Sequence, residues 1–583
     1  MCGIFLFSKK YENQINETFD ILKHRGPDAQ NIFKDDNICI GHNLLQIRGD
    51  IEESTQPQIS DCGRYVLAFN GQIYNSEEID KKHNFFNYSN LDTKTIINLI
   101  NYEGLKFIEK IEGMFAIIVY DRIKETIHFY RDTSGQKNLY YYFHNNEIII
   151  CSEIQPIFNL IKKININNES LYENLIIGYN LSSQTIYDHI NKLLPGEKIE
   201  FNLKFKTIKK NLYKKIKNNN SNLTIEELLE KNINNHLITK KKIAINLSGG
   251  LDSNIILYEA LKKNININVF STKFIDANNI YNEDYDKAKL VAKINNLNFI
   301  SVEIEKKEYI DKFIKTFSLI EEPNRNINNP IYFINYENQK KNGYRTIVSG
   351  DGGDEIFIGY QYYFNRKISN LINFSSLSKI FDWLNCFKRY NSFNSEFINL
   401  NYFSKKSIFL NKLITTNKIF AKYVQNFYKN IKLKSNFHLP LLDQIFWLPN
   451  EIFLRSDKLG MYNSLETRAP FCDFEIRERF INHWKTKDFR TKINKSFIRN
   501  KYKAKLDNSI TKNTKKTGWT VPQEWLDDKK LKENILDIMP KRDHEIILWS
   551  KIRNYIEKNN SIKKKFLYPL ISIAILFNNN KIT

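Results

Sequence analysis

Up to about Lys210 the chain consists of short β-branched and aromatic runs separated by turn residues: Gly3 to Phe7, Tyr65 to Asn70, Met114 to Tyr120, Ile127 to Tyr130, Asn138 to Phe143 and Ile148 to Cys151. Runs of this kind predict strands. Thr93 to Tyr102 carries apolar residues at helical spacing and predicts a helix among them. The first unit, residues 1–212, is therefore expected to be α+β, with stacked antiparallel sheets and a few helices. Lys214 to Asn222 has no apolar periodicity, which sets a linker at 213–222. The rhythm then changes to helix Ile225 to Leu237, strand Lys242 to Leu247, a Gly-rich turn, helix Asn254 to Lys262, strand Ile267 to Ser271, helix Asp284 to Asn295, and strands Asn298 to Val302 and Arg345 to Ser349. Strands alternating with helices predict an α/β unit, residues 223–583, with a parallel sheet covered by helices on both faces. From about Gln361 the pattern reads as helices and loops, ending in a buried helix at Phe566 to Phe577. The Asn-rich stretch Ile164 to Asn168 reads as solvated, and no internal repeat is present.

Composition narrows the function. With 583 residues, 42% hydrophobic and 14% aromatic, the chain is too long for a small binding module and too apolar for global disorder. Lysine and arginine number 87 against 65 acidic residues, a formal charge of +22 that favours anionic partners. These basic residues are scattered among Asn and Ile instead of forming a block, which makes nucleic acid an unlikely partner. Six cysteines without a Cys-x-x-Cys pair fit a reducing, cytoplasmic setting. No signal peptide is expected. The apolar run Phe566 to Phe577 contains Pro569 and falls short of the ~20 residues a membrane span needs, so no membrane association is expected.

Cys2 follows Met1, and removing that methionine places a thiol beside a free α-amine. An α-amine titrates near ~7.7–8.0 and can accept the thiol proton directly or through water. The motifs Met1-Cys2-Gly3-Ile4-Phe5, His24-Arg25-Gly26-Pro27-Asp28, Phe69-Asn70-Gly71-Gln72-Ile73-Tyr74-Asn75 and Arg131-Asp132-Thr133-Ser134-Gly135 occur in that order. Together they resemble the glutaminase domain of the amino-terminal-cysteine glutamine amidotransferases. The resemblance implies that Cys2 attacks the glutamine amide, forms a thioester and releases ammonia. It also implies that the Asn70 side chain and the Gly71 N–H stabilise the oxyanion. Asn70-Gly71 reads equally as a hairpin turn. Where the family carries Gly-His-x-Arg-Leu for the glutamine carboxylate, this chain reads Gly41-His42-Asn43-Leu44-Leu45-Gln46-Ile47-Arg48. Leu44 cannot pair with a carboxylate, which leaves Arg48 either as its replacement or as a surface arginine. Gln72 stands where the family has Glu, and Asp92 matches the acidic residue that holds the glutamine α-ammonium.

The strand Ile243-Ala244-Ile245-Asn246-Leu247 runs into Ser248-Gly249-Gly250-Leu251-Asp252-Ser253 and then a helix. This arrangement aims backbone N–H groups and a helix N-terminus at an anion, and it is not a Walker loop. It resembles the pyrophosphate loop of ATP pyrophosphatases. A second turn, Ser349-Gly350-Asp351-Gly352-Gly353-Asp354-Glu355, resembles the second signature of the asparagine synthetase domain, as do Glu322-Pro323, Arg455-Ser456-Asp457-Lys458, Ser464 to Asp473 and Lys515 to Pro522. The resemblance implies ATP bound by Asn246, Leu247, Ser248, Gly249, Gly250, Asp252, Ser253, Thr272, Ser349 and Gly350. It further implies Mg²⁺ shared by Asp252 and Asp354, and Lys516, with Lys515 as the adjacent competitor, neutralising phosphate charge.

The implied chemistry is a glutamine-dependent amidotransferase of the asparagine synthetase family, converting aspartate to asparagine with release of AMP and pyrophosphate. A second enzyme reading amidates another carboxylate, such as a uronic acid in surface-glycan assembly. An RNA-modifying ATP pyrophosphatase is the rival of a different class; it needs a nucleic-acid-binding domain or paired thiols, and neither is visible. Related enzymes are often dimers, so the resemblance also implies a homodimer.

Overall fold

A computed structural model describes residues 2–86, 91–214, 223–265, 267–364, 438–483, 493–512, 520–559 and 561–579. The expected linker lies outside the described residues from position 215 on.

Two six-stranded antiparallel sheets stack in the amino-terminal half. In spatial order the first runs Ile190–Lys192, Tyr140–His144, Glu147–Cys151, Gly3–Ser8, Ile38–Leu44, Ala29–Lys34. The second runs Thr207–Leu212, Glu197–Asn202, Thr126–Arg131, Gly113–Asp121, Tyr65–Ile73, Gln58–Ile59. The alternation of side chains along each strand builds the layers. Ile4 and Leu6 of one sheet meet Val66, Ala68 and Ile118 of the other in the space between the sheets. Their neighbours Phe5 and Phe7 turn outward onto Phe19 and Leu22 of helix Ile15–Leu22. On the far side Leu67 and Phe69 pack on Ile96, Leu99 and Ile100 of helix Asp92–Glu103. The result is helix, sheet, sheet, helix, with Cys2 at the start of a central strand.

The carboxy-terminal half holds five parallel strands in the order Phe299–Ile304, Asn268–Phe274, Ile243–Asn246, Thr346–Val348, Glu466–Arg468. Ile245, Val269 and Val348 face helices Ile225–Leu237 and Leu251–Lys262. Ala244, Phe270 and Ile347 face the opposite way, toward helices Lys306–Ile320, Asn329–Lys341 and Leu567–Asn579. Helix Ile225–Leu237 starts on a capping box: Thr224 Oγ1 accepts from Glu227 N at 3.2 Å, and Glu227 returns a bond to Thr224 N at 2.7 Å.

Two expectations need correction, and a third gains detail. The helix after the Gly-rich turn begins at Leu251, not Asn254, so Asp252 and Ser253 lie in its first turn. Ile164 to Asn168 is half-exposed or exposed, as expected of a solvated stretch, and it is also ordered: Ile166 bridges Tyr187, and Asn167 caps helix Asn168–Ile177 by accepting from Ser170 N at 2.9 Å. The region read as helices and loops contains strand Glu466–Arg468, whose two charged residues are both buried.

The two halves share one apolar core. Phe5, Tyr140 and Ile190 from the first belong to the same buried cluster as Phe270, Phe317 and Leu567 from the second.

Candidate active site

Cys2 is 6% exposed, and its backbone N–H donates to Asn70 Oδ1 at 2.8 Å. Removal of Met1 turns that N–H into the α-amine beside the thiol. Asn70 lies on strand Tyr65–Ile73, fully buried, and its Nδ2 has no hydrogen-bond partner among the described residues. Such a donor is costly to leave unmade, and the described residues supply no partner for it. Gly71 follows with φ +152°, and a Cβ there would stand 2.0 Å from Met114 O, so this position excludes any side chain.

A pocket opens beside Cys2, and its lining includes Arg48, Gln72 and Asp92 with Leu44 and Gly71. Asp92 opens helix Asp92–Glu103; its Oδ2 accepts from Ile73 N and its Oδ1 from Thr93 N, both at 3.0 Å. Burial pushes its carboxyl up, and Arg48 is the first group to oppose that. Arg48 is therefore no surface residue: it supplies positive charge to the pocket from the loop after strand Ile38–Leu44. Gln72 donates to Ile238 O at 3.4 Å, and its Oε1 has no partner among the described residues. Burial raises the Cys2 thiol, the Leu45 backbone lowers it, and Glu466 and Asp92 raise it again. The balance leaves the resting thiol protonated, so a base must take its proton.

Glu466 also lines this pocket, although it belongs to the parallel sheet. Burial works against its charge, yet Arg468, the chain terminus and Lys137 hold its carboxyl down to about 2. The His24-Arg25-Gly26-Pro27-Asp28 motif joins the halves again. Arg25, fully buried, donates to Cys2 O at 3.2 Å, pairs with Glu153 at 2.9 Å, and reaches Asp457 of the second half at 3.1 Å.

A second cluster forms where the parallel strands end. The turn after strand Ile243–Asn246 is cross-braced: Ser248 N donates to Ser253 Oγ at 3.1 Å, Gly250 N to Ser248 Oγ at 3.3 Å, and Asn254 Nδ2 to Gly250 O at 2.7 Å. Asn246 Oδ1 accepts from Gln339 at 2.6 Å, and Leu247 N donates to Phe270 O at 2.8 Å. Gly249 packs on Lys287. Thr272 lies on the neighbouring strand, its hydroxyl donating to Asn335 Oδ1 at 3.0 Å. The second turn packs directly onto the first: a Cβ on Gly353 would lie 2.7 Å from Asp252 Cγ, and one on Gly350 would lie 2.8 Å from Asp252 Cβ. Ser349 N donates to Arg468 O at 3.0 Å, and Ser349 Oγ to Asp351 Oδ2 at 2.8 Å.

This packing points Asp252 and Asp354 at one place, and a cation already stands there. The Lys495 ammonium pairs with Asp252 and lies 2.7 Å from Asp354 Oδ1. Burial disfavours its charge, but the two carboxylates raise its pKa above the ordinary lysine value. Two carboxylates converging on a cation fit Mg²⁺, which is commonly held by one or two protein oxygens together with substrate phosphates. The sequence reading missed Lys495, which sits at φ +54° before helix Ser496–Tyr502. Lys516 and Lys515 lie outside the described residues.

Residues 1–213 match the model of the glutamine amidotransferase domain, and residues 224–578 match that of asparagine synthase. Among curated proteins, asparagine synthetase [glutamine-hydrolyzing] 1 of Bacillus subtilis is 26% identical over 568 residues, covering 90% of this chain and 88% of its own. A putative asparagine synthetase [glutamine-hydrolyzing] 2 of Methanocaldococcus jannaschii is 28% identical over 63% of this chain and 76% of its own. The amidase chry2 of Gibberella zeae is 23% identical over 62% of this chain and 59% of its own.

Proposed function

Because the chain belongs to the asparagine synthase family, we propose that it is a glutamine-dependent, ATP-consuming amide ligase whose acceptor is aspartate. A glutaminase domain, residues 1–212, releases ammonia. A synthetase domain, residues 223–583, adenylates the acceptor carboxylate, and the products are asparagine, AMP and pyrophosphate. One observation carries this reading: the Cys2 pocket is walled by Glu466 at the start of its strand, and the braced Ser248–Ser253 turn follows the far end of strand Ile243–Asn246 in the same parallel sheet, which supports a nitrogen source and an activated carboxylate being brought together within one chain. Ammonia in bulk water is mostly protonated and a poor nucleophile, and an internal route keeps it reactive.

In this reading Cys2 is the nucleophile and its α-amine, held by Asn70 Oδ1, is the base. Asn70 Nδ2 and the Gly71 N–H receive the oxyanion. Asp92 takes the α-ammonium of glutamine, with Gln72 alongside, and Arg48 takes the α-carboxylate in place of the arginine that Leu44 displaces. At the other site the Ser248–Ser253 turn holds the pyrophosphate, Asn246, Leu247, Thr272, Ser349 and Gly350 surround the nucleoside, and Asp252 and Asp354 hold Mg²⁺. The metal, when bound, offsets charge on the phosphates. Lys516 is the further phosphate-neutralising lysine. The second reading keeps both half-reactions and replaces aspartate by a uronic acid; a relative whose name is an amidase, not an asparagine synthetase, favours keeping it.

Two measurements test these assignments. Pyrophosphate release with ATP, Mg²⁺ and glutamine is expected with aspartate, with asparagine detected by mass. Release only with uronic acids or nucleotide-linked uronates transfers the acceptor to the second reading. Arg48→Leu removes a charge-assisted contact of about 1.5–3 kcal/mol, so the glutamine KM should rise about tenfold to a hundredfold while ammonia-dependent synthesis stays. An unchanged KM takes Arg48 out of the glutamine site.

A further inference from the structure

The loop that carries Arg48 is held from the other half of the chain. Ile47 O accepts from Lys240 N at 3.1 Å, and Leu45 and Ile47 pack on Met461 as a small buried cluster of their own. Asp28, the last residue of the His24–Asp28 motif, fastens the same loop twice: its backbone N–H donates to Leu44 O at 3.0 Å, and its Oδ2 accepts from Gln46 N at 2.8 Å. Arg345 of the second half grips Asp28 with both arms of its guanidinium, Nη1 to Oδ2 and Nη2 to Oδ1, each at 3.0 Å. A two-pronged guanidinium–carboxylate pair fixes orientation as well as distance.

Arg345 is in turn fixed in the parallel sheet. Its N–H donates to Lys242 O at 3.2 Å, and its carbonyl accepts from Glu466 N at 2.9 Å. Lys242, Arg345 and Glu466 thus form one row at the leading edge of the sheet. Glu466 reaches the Cys2 pocket directly, and Arg345 reaches its wall through Asp28.

We infer that Arg345 is a positioning residue for glutamine: acting across the boundary between the halves, its pairing with Asp28 holds the 44–49 loop in the shape that binds the substrate. The inference rests on reading the Cys2 pocket as the glutamine site. Arg345 does not itself line the Cys2 pocket, so its loss should appear in glutamine binding and leave synthesis intact.

The test uses the full chain and compares Arg345→Gln, Arg345→Lys, Asp28→Asn and the double variant Arg345→Gln/Asp28→Asn. Glutamine-dependent and ammonia-dependent pyrophosphate release are both followed. The expected result is a glutamine KM about tenfold higher in Arg345→Gln, with kcat and the ammonia-dependent rate kept. Lysine should restore KM only in part, since it lacks the planar fork. The double variant should be no worse than the worse single one, as for two partners in one contact. An unchanged glutamine KM overturns the inference, and so does a parallel fall of both rates, which makes Arg345 a prop of the fold alone. Additive effects of Arg345→Gln and Asp28→Asn overturn it as well. Cys2→Ala, measured beside them, tests the pocket separately: glutamine turnover surviving that change removes the glutamine reading whatever Arg345 does.

Discussion

Replacing Cys2 by alanine should cut glutamine-dependent turnover by roughly 10³-fold or more, while turnover supplied with ammonia continues near its original rate. The size of the loss follows from the chemistry, since without the thiol there is no group to form the thioester. Its selectivity follows from the geometry. Cys2 lies at the start of a central strand in the first antiparallel sheet, tied by its N–H to Asn70 and by its carbonyl to Arg25. The turns read as the ATP site are at the far ends of the parallel strands and have their own bracing. Alanine occupies less space than cysteine and keeps the backbone N–H that Asn70 receives. Loss of both activities would undo the division of labour between the halves.

The second large effect is expected for Asp252→Asn, which should lower pyrophosphate release by about 10²–10³-fold with either nitrogen source, the loss of several kcal/mol of charge stabilisation. Gly350 and Gly353 press against Asp252 so closely that a change of volume would disturb both turns. Asparagine is nearly isosteric, so the variant removes charge and leaves packing. Lys495 would keep Asp354 as its partner, so the cluster retains one of its two ion pairs. Hydrolysis of glutamine at Cys2, measured without ATP, should persist. Unaffected pyrophosphate release would rule out a metal role for Asp252.

The repeating parts of the fold were legible because burial on a sheet or helix imposes a period. Helix Ile225–Leu237 matches its sequence reading at both ends, the Thr224 cap marking its start. The parallel sheet was anticipated from alternating elements and is covered on both faces. Strand Glu466–Arg468 was not, since a three-residue strand of Glu, Thr and Arg has no apolar alternation to see. Its charges are buried through mutual pairing, with Arg468 Nε 2.6 Å from Glu466 Oε1, a property of tertiary neighbours. Lys495 was invisible for a similar reason: its place between Asp252 and Asp354 depends on a left-handed backbone conformation, where Gly or Asn is the usual signal. Arg48 could be named from sequence but not placed. The motifs around Cys2 pointed to a pocket, yet a wall supplied by Glu466 has no local signature.

Strand Thr346–Val348 is flanked by Arg345 and Ser349, so one short piece of chain faces both chemistries. At ~3.3 Å per residue the span is about 13 Å, and it ties two fitted regions to one fixed spacing. Residues at the leading edge back the Cys2 pocket, which is closed in by contacts between the halves, so change there disturbs a fitted pocket. Residues at the trailing edge enter turns that press on one another at Asp252, so change there is equally constrained. An insertion or deletion within this strand would therefore set one fitted end out of register with the other, so neither end is free to drift alone.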